Sequence, residues 1–297
     1  MNLYLQYKNI NLIKKNFKNW ITLGWEIKIT RPKKIKIVTK VGEEYDLWYN
    51  QVLLLLSLLK KGYPLTLSLD YIKEDRIPYH NQIITIHGWI EENNINNGNI
   101  FDVFMNEEYK FLNVKDEIVI DIGASIGDSS IYFALNGAKK VIGLEPYPYP
   151  FSFTKRNIEE NNLNERIEIL NAGYGKDGEI IVDVNKLSND AMDLVPSKSG
   201  KKIKVYSLNS IIDEFRIEEA VLKMDCEGCE YHVLEEKEEI LGKFKRIQME
   251  YHYGYEKIKY KLEKAGFNVR NTEPRRVYNK YATNPNMSIG YIYAEKK

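Results

Sequence analysis

The chain has 297 residues, with 43 lysines and arginines set against 42 aspartates and glutamates. That length suits one large domain or a catalytic domain with an addition, and so balanced a charge leaves no surplus to hold a polyanion by counterion release, so nucleic acid is not an expected partner. The only cysteines, Cys226 and Cys229, exclude the disulfide framework of a small secreted domain.

The N-terminal residues break their apolar runs with lysine and asparagine too often for a signal-peptide core. The densest apolar run, Val52 to Leu59, is far shorter than the roughly 20 residues of a membrane span. A cytoplasmic protein without a membrane span is the expectation. Glu26 to Lys40 alternates apolar and charged residues (Ile27, Ile29, Ile35, Ile37), the period of a half-buried strand. Tyr49 to Lys61 predicts a helix stopped by Gly62 and Pro64, and Ile83 to Ile90 a strand. Asn93 to Asn99 predicts a turn before a strand-like Ile100 to Met105. Residues 1–100 thus form a mixed α+β region without a catalytic motif, expected to help build the acceptor site. The short basic runs Arg31-Pro32-Lys33-Lys34 and Lys201-Lys202 read as solvated faces.

After Lys115 short apolar strands alternate with helices, the rhythm of βαβ units around a parallel sheet. Strands are expected at Ile118–Ile122, Val141–Leu144, Ile167–Leu170, Glu179–Val184, Val221–Met224, Arg246–Glu250, near Val269, and at Ile289–Ala294. Helices are expected at Asp128–Asn136, Pro150–Asn161, Glu230–Leu241 and Glu256–Ala265, and the order suits a doubly wound sheet over residues 101–297.

The strongest local signal is Asp121-Ile122-Gly123-Ala124-Ser125-Ile126-Gly127-Asp128, where a strand ends and a helix begins. Glycines there let backbone approach a ligand, and the helix N-terminus offers N–H groups to a carboxylate. The two glycines are four apart, whereas the dinucleotide fingerprint G-x-G-x-x-G spaces them to cradle a pyrophosphate. S-adenosylmethionine, with a carboxylate and an ammonium at one end, fits better, and Asp121 either orients the loop or faces that ammonium. Glu145, ahead of Pro146 at the end of the next strand, suits the two ribose hydroxyls. Asn171 and Ala172, beyond the third strand, suit the adenine edge and face.

Lys223-Met224-Asp225-Cys226-Glu227-Gly228-Cys229-Glu230 closes another core strand and brings Asp225 and Glu227 beside the cofactor loop. Three close carboxylates need a cation or donor among them. Cys226 and Cys229 make one C-x-x-C without a second pair, so they read as packing cysteines rather than a structural zinc site, and no metal is expected. His252, at the end of the following strand, is the candidate base, since histidine titrates near neutral pH; Asp225 and Glu227 are its reserves.

Together these segments resemble the FkbM family of S-adenosylmethionine-dependent methyltransferases. The residues that carry the resemblance are Val119 to Asp128, Glu145-Pro146, Val205 to Ile212 and Leu222 to Glu230. Ser125 stands where the family commonly has asparagine and Asn209 where it commonly has aspartate. Serine still donates and accepts, so the loop keeps its chemistry. The resemblance covers roughly Phe101 to Lys297 and implies the class I methyltransferase fold: a Rossmann-like, mostly parallel sheet ending in an antiparallel hairpin. It also implies O-methylation of a sugar, a glycan or another small hydroxylated acceptor. Two other readings stay open: a nicotinamide-dependent oxidoreductase, disfavoured by the glycine spacing, and a cofactor-binding protein without turnover in an assembly.

Overall fold

The computed structural model describes residues 3–88, 100–185, 196–276 and 287–297, so the turn expected at Asn93 to Asn99 lies outside the described residues. The chain divides into two compact units, Met1–Glu108 and Tyr109–Lys297.

In the first unit, helices α1 (Leu3–Asn16) and α2 (Trp20–Trp25) precede a π-helical turn at Glu26–Thr30. The strand expected from Glu26 therefore begins only at Lys34. Ile27 and Ile29 match a two-residue period for two positions only, whereas the helix begun at Trp20 continues through them. Strands β1 (Lys34–Val38) and β2 (Glu44–Trp48) form an antiparallel hairpin that buries Ile35 and Ile37. Helix α3 (Tyr49–Lys60) buries Val52, Leu54, Leu55, Leu58 and Leu59. Helix α4 (Leu65–Lys73) follows, then the two-stranded pair β3 (Arg76–Tyr79) and β4 (Gln82–Thr85). The strand-like Ile100 to Met105 is helical, a π turn at Phe101–Met105. The buried residues Ile100, Val103 and Phe104 repeat at three and four, a helical spacing that a short, mostly apolar run conceals.

The second unit is a doubly wound sheet. Strands β5 (Ile118–Ile122), β6 (Lys140–Leu144) and β7 (Ile167–Leu170) run parallel to one side. Near the other edge of β5 lie β11 (Ala220–Met224) and then β12 (Phe244–Tyr251), also parallel. Strand β15 (Ser288–Lys296) is antiparallel to β12 and to β13 (Phe267–Asn271), giving the C-terminal antiparallel pair and the order β13-β15-β12-β11-β5-β6-β7, with β14 (Arg275–Arg276) on β15. Helices α5 (Asp128–Leu135), α6 (Pro148–Glu160), α7 (Leu208–Glu214), α8 (Glu238–Leu241) and α9 (Glu256–Lys264) link the strands. A smaller sheet joins β8 (Ala172–Tyr174), β10 (Lys201–Tyr206) and β9 (Gly178–Val182). Val119, Ile120, Val221 and Leu222 are fully buried, as expected when both faces of a parallel sheet are covered.

One expected helix is broken. Glu230 to Leu241 forms a 3-10 turn at Cys229–Leu234 and then the short α8. Between them the Glu236 carboxylate accepts the Leu208 N–H at 2.7 Å and the Tyr174 hydroxyl at 3.3 Å, so this segment is held by tertiary bonds rather than a helical ladder.

Because β5 is followed by β6 on one side and β11 by β12 on the other, the connections diverge between β5 and β11. Open α/β sheets bind ligands at such a switch point, beyond the C-terminal ends of the strands.

Candidate active site

The loop after β5 is built around a buried ion pair. Asp121 is fully buried and accepts the Ser129 and Ser130 hydroxyls at 2.7 and 2.6 Å, with the Lys223 ammonium 3.1 Å away. Lys223, from the neighbouring β11, also donates to the Gly123 carbonyl at 2.7 Å. Burial alone would lower the lysine's pKa, but the charges of Asp121 and Asp225 and the hydrogen bond to Asp121 outweigh it and hold it above the usual value. One carboxylate oxygen of Asp121, Oδ2, accepts both serine hydroxyls, and the other, Oδ1, faces the lysine ammonium.

Three loop residues have left-handed backbone: Gly123 (φ 81°), Ser125 (φ 48°) and Gly127 (φ 85°). A Cβ on Gly123 would run into the Asp225 carbonyl oxygen. The loop and the segment after β11 therefore touch only because position 123 has no side chain. Ala124 and Ile126 are fully buried beneath the loop, leaving Gly123 and Ser125 half-exposed along it. Asp128 opens α5, where burial pushes its carboxyl up to about 6.

Glu145 sits just beyond β6, where its carboxylate accepts the Ser125 N–H and the Tyr147 N–H, each at 2.9 Å. It thereby ties the cofactor loop to the Glu145-Pro146 turn. Burial pushes its carboxyl up to about 8 against the lowering effect of those two N–H groups. Asn171 donates to the carbonyls of Glu145 and Pro146, both at 2.9 Å, and accepts from Lys201 at 2.7 Å. Its amide braces this turn, and Ala172 lies buried in the core.

Beyond β11 and β12 four carboxylates surround one imidazole. Glu230, fully buried, accepts the Gly228 N–H at 2.9 Å, the His252 N–H at 3.0 Å and the His252 Nδ1 hydrogen at 2.9 Å. The other ring nitrogen, Nε2, lies 3.2 Å from Glu227 and 3.7 Å from Glu250. Burial works to lower the pKa of His252, but the hydrogen bonds to Glu227 and Glu230 and their charges overcome it and push it up to about 12. Burial and then the hydrogen-bonded Asp225 carboxylate hold Glu250 well above the usual carboxylate range. Asp225 also accepts the Tyr109 hydroxyl at 3.3 Å.

These surroundings bear on the base role expected for His252. Both its ring nitrogens face carboxylates, Nδ1 that of Glu230 and Nε2 those of Glu227 and Glu250, an arrangement that favours the protonated ring. Asp225, Glu227 and His252 each offer one donor atom, mutually within 4.8 Å, a set that could hold a metal ion. The packing role expected for the cysteines is corrected: Cys226 and Cys229 are bonded to each other in a disulfide that brackets Glu227 and Gly228.

Sequence reasoning missed Glu250, Tyr109 and the clamp made by Glu230. A lysine inside the apolar run Val221-Leu222-Lys223-Met224 was the one signal for the buried ion pair, since a lysine buried on a central strand needs an anionic partner.

Sheet order, switch point and glycine loop define the class of the second unit as a class I methyltransferase fold. The methyltransferase FkbM domain family matches residues 121–271, half of the chain, and the chain belongs to that family of S-adenosylmethionine-dependent methyltransferases. Over 56 residues, 19% of this chain and 20% of the relative, it is 41% identical to a tRNA(Phe) (4-demethylwyosine(37)-C(7)) aminocarboxypropyltransferase of Pyrococcus horikoshii. Over 122 residues it is 33% identical to protein 158B of Sulfolobus islandicus rod-shaped virus 1, covering 41% of this chain and 54% of that protein. The chain thus spans about a fifth of the first curated relative and about half of the second. Among solved structures it is similar to M. jannaschii TYW2 in complex with AdoMet at 16% identity and a TM-score of 0.38, over 75% of this chain and 86% of that one, a likeness too low to carry an argument. Among the described residues no helix is long and apolar enough to cross a membrane.

Proposed function

We propose that this chain transfers the methyl group of S-adenosylmethionine to a hydroxyl of a sugar, a glycan or a similar small polar acceptor. The observation that carries the reading is the close approach of Gly123 to the Asp225 carbonyl, which brings the loop after β5 against the segment that carries Asp225 and Glu227. In this reading the loop from Asp121 to Asp128 holds the amino-acid end of the cofactor, and Glu145 takes the ribose hydroxyls. The acceptor oxygen lies in line behind the sulfonium methyl, so orientation is the larger part of the catalysis. As the C–O bond forms and the C–S bond breaks, the hydroxyl proton passes to Asp225 or Glu227. His252 holds Glu227 in position and offsets part of the carboxylates' mutual repulsion.

The relative that acts on tRNA suggests RNA as the competing acceptor, and the balanced charge of this chain argues against it. Calorimetry with S-adenosylmethionine and NAD, followed by transfer of a tritiated methyl group to a panel of saccharides and to RNA, tests the reading. The expected result is cofactor binding without NAD binding, and label on a saccharide. Tighter NAD binding overturns the cofactor assignment. Label on RNA alone overturns the acceptor, and binding without transfer to any acceptor favours a non-catalytic role.

A further inference from the structure

The first unit carries an apolar stripe that its own fold does not cover. Ile21, Trp25 and Ile29 follow one another at steps of four residues along α2 and the π-helical turn, and are 68%, 59% and 60% exposed. Steps of four return a side chain to nearly the same face of a helix. Leu23, on another face of the same helix, is fully buried, and the Asn19 side chain bonds the Lys36 carbonyl at 2.7 Å and the Val38 N–H at 2.9 Å. The helix is therefore docked on its hairpin, and its exposed stripe belongs to the folded unit.

The flanks of the stripe are basic. Lys14, Lys15 and Lys18 precede it, Lys28, Arg31 and Lys34 accompany or follow it, and all six are exposed. Glu26, half-buried, is the only acidic residue from position 14 to position 34. The chain as a whole has a net charge of only +1, so this surplus is a local feature. Three large exposed apolar side chains in a row mark a contact surface. A tryptophan within an apolar stripe bordered by lysine and arginine matches the interfacial region of a bilayer, where the indole sits at headgroup level and the cations meet anionic lipid. Nucleic acid would use the cations but leave the two isoleucines without a role. A second copy of the chain would cover the stripe but bring two like-charged rims together.

We propose that Ile21, Trp25 and Ile29, with their basic flanks, dock this protein reversibly on an anionic lipid surface. In this arrangement the stripe enters the headgroup boundary and the lysines remain in water. The inference stands apart from the assignment of the methyl acceptor.

The test is co-sedimentation of the full chain with vesicles of phosphatidylcholine alone and of phosphatidylcholine mixed with phosphatidylserine, with tryptophan emission as a second readout. The expected result is at least about tenfold stronger partitioning onto the anionic vesicles, weakening with salt, with a blue shift of the emission. The double variants Trp25→Ser/Ile29→Ser and Lys28→Glu/Arg31→Glu each reduce partitioning at least about tenfold while cofactor affinity and circular dichroism stay unchanged. Equal partitioning onto both vesicle types overturns the proposal, as does partitioning that survives Trp25→Ser/Ile29→Ser. Self-association abolished by that variant in the absence of lipid assigns the stripe to a second copy and also overturns it. RNA binding lost only in the charge variant, with no vesicle binding by the parent chain, does the same.

Discussion

On the reading that Glu145 holds the ribose hydroxyls, cofactor affinity is expected to depend on pH. Its carboxyl, ordinarily near 4.5, stands at about 8 because burial outweighs the two N–H groups it accepts. Ribose hydroxyls donate best to the ionised carboxylate, so binding draws its pKa down. Below pH 8 each pH unit then weakens binding about tenfold, or about 1.4 kcal/mol, because a growing fraction of the free protein must first lose a proton. Between pH 8 and pH 6 the loss is roughly fifty-fold. The stability effect has the opposite sense. A carboxyl raised on folding adds stability below about 4.5, and that contribution is lost as pH rises through about 8. The assay is calorimetric titration with S-adenosylhomocysteine across this range, comparing the parent chain with Glu145→Gln. The variant is expected to show a flat profile and to fall about 1–3 kcal/mol below the parent on the alkaline side, the scale of hydrogen bonds to a charged group. An unchanged slope in the variant, or a flat parent profile, refutes the reasoning.

Lys223→Met leaves Asp121 buried without its cation, at a cost of about 3–5 kcal/mol and a fall in Tm of roughly 10 °C by calorimetry; adding Asp121→Asn recovers much of the loss, and a loss under about 1 kcal/mol contradicts the buried pair. Glu227→Gln is expected to lower turnover by roughly 10²–10⁴-fold with cofactor affinity nearly intact. Normal turnover in that variant, paired with a large loss in His252→Gln, returns the base to the histidine. Purified protein is expected to hold no zinc by elemental analysis and to keep its turnover in a chelator, and a chelator-sensitive enzyme rescued by magnesium assigns a metal to Asp225, Glu227 and His252. Cys226 and Cys229 are expected to give no reaction with a thiol reagent until a dithiol reductant is added.

The strand Ile118–Ile122, the glycine loop, Glu145 and the Asp225 segment were legible from sequence because each depends on local chemistry: an apolar run, residues that tolerate left-handed backbone, and acids at strand ends. The doubly wound order followed from the alternation of strands and helices. Glu26–Thr30 and Ile100–Met105 were misread because short apolar patterns fit two periods at once, and burial by neighbouring elements decided between them. The tertiary partners of Asp121, Asn171 and His252 were beyond any local reading, since they lie far along the chain. Lys223 lies across the strand pairing from Asp121, the Glu145 and Pro146 carbonyls face Asn171, and Glu227 and Glu230 clamp His252. Sequence therefore determined which chemical groups stand at the strand ends. Only the tertiary structure decided which of them are already bonded to one another and which are left to meet a ligand, because burial and pairing set a group's charge and its remaining hydrogen-bonding capacity.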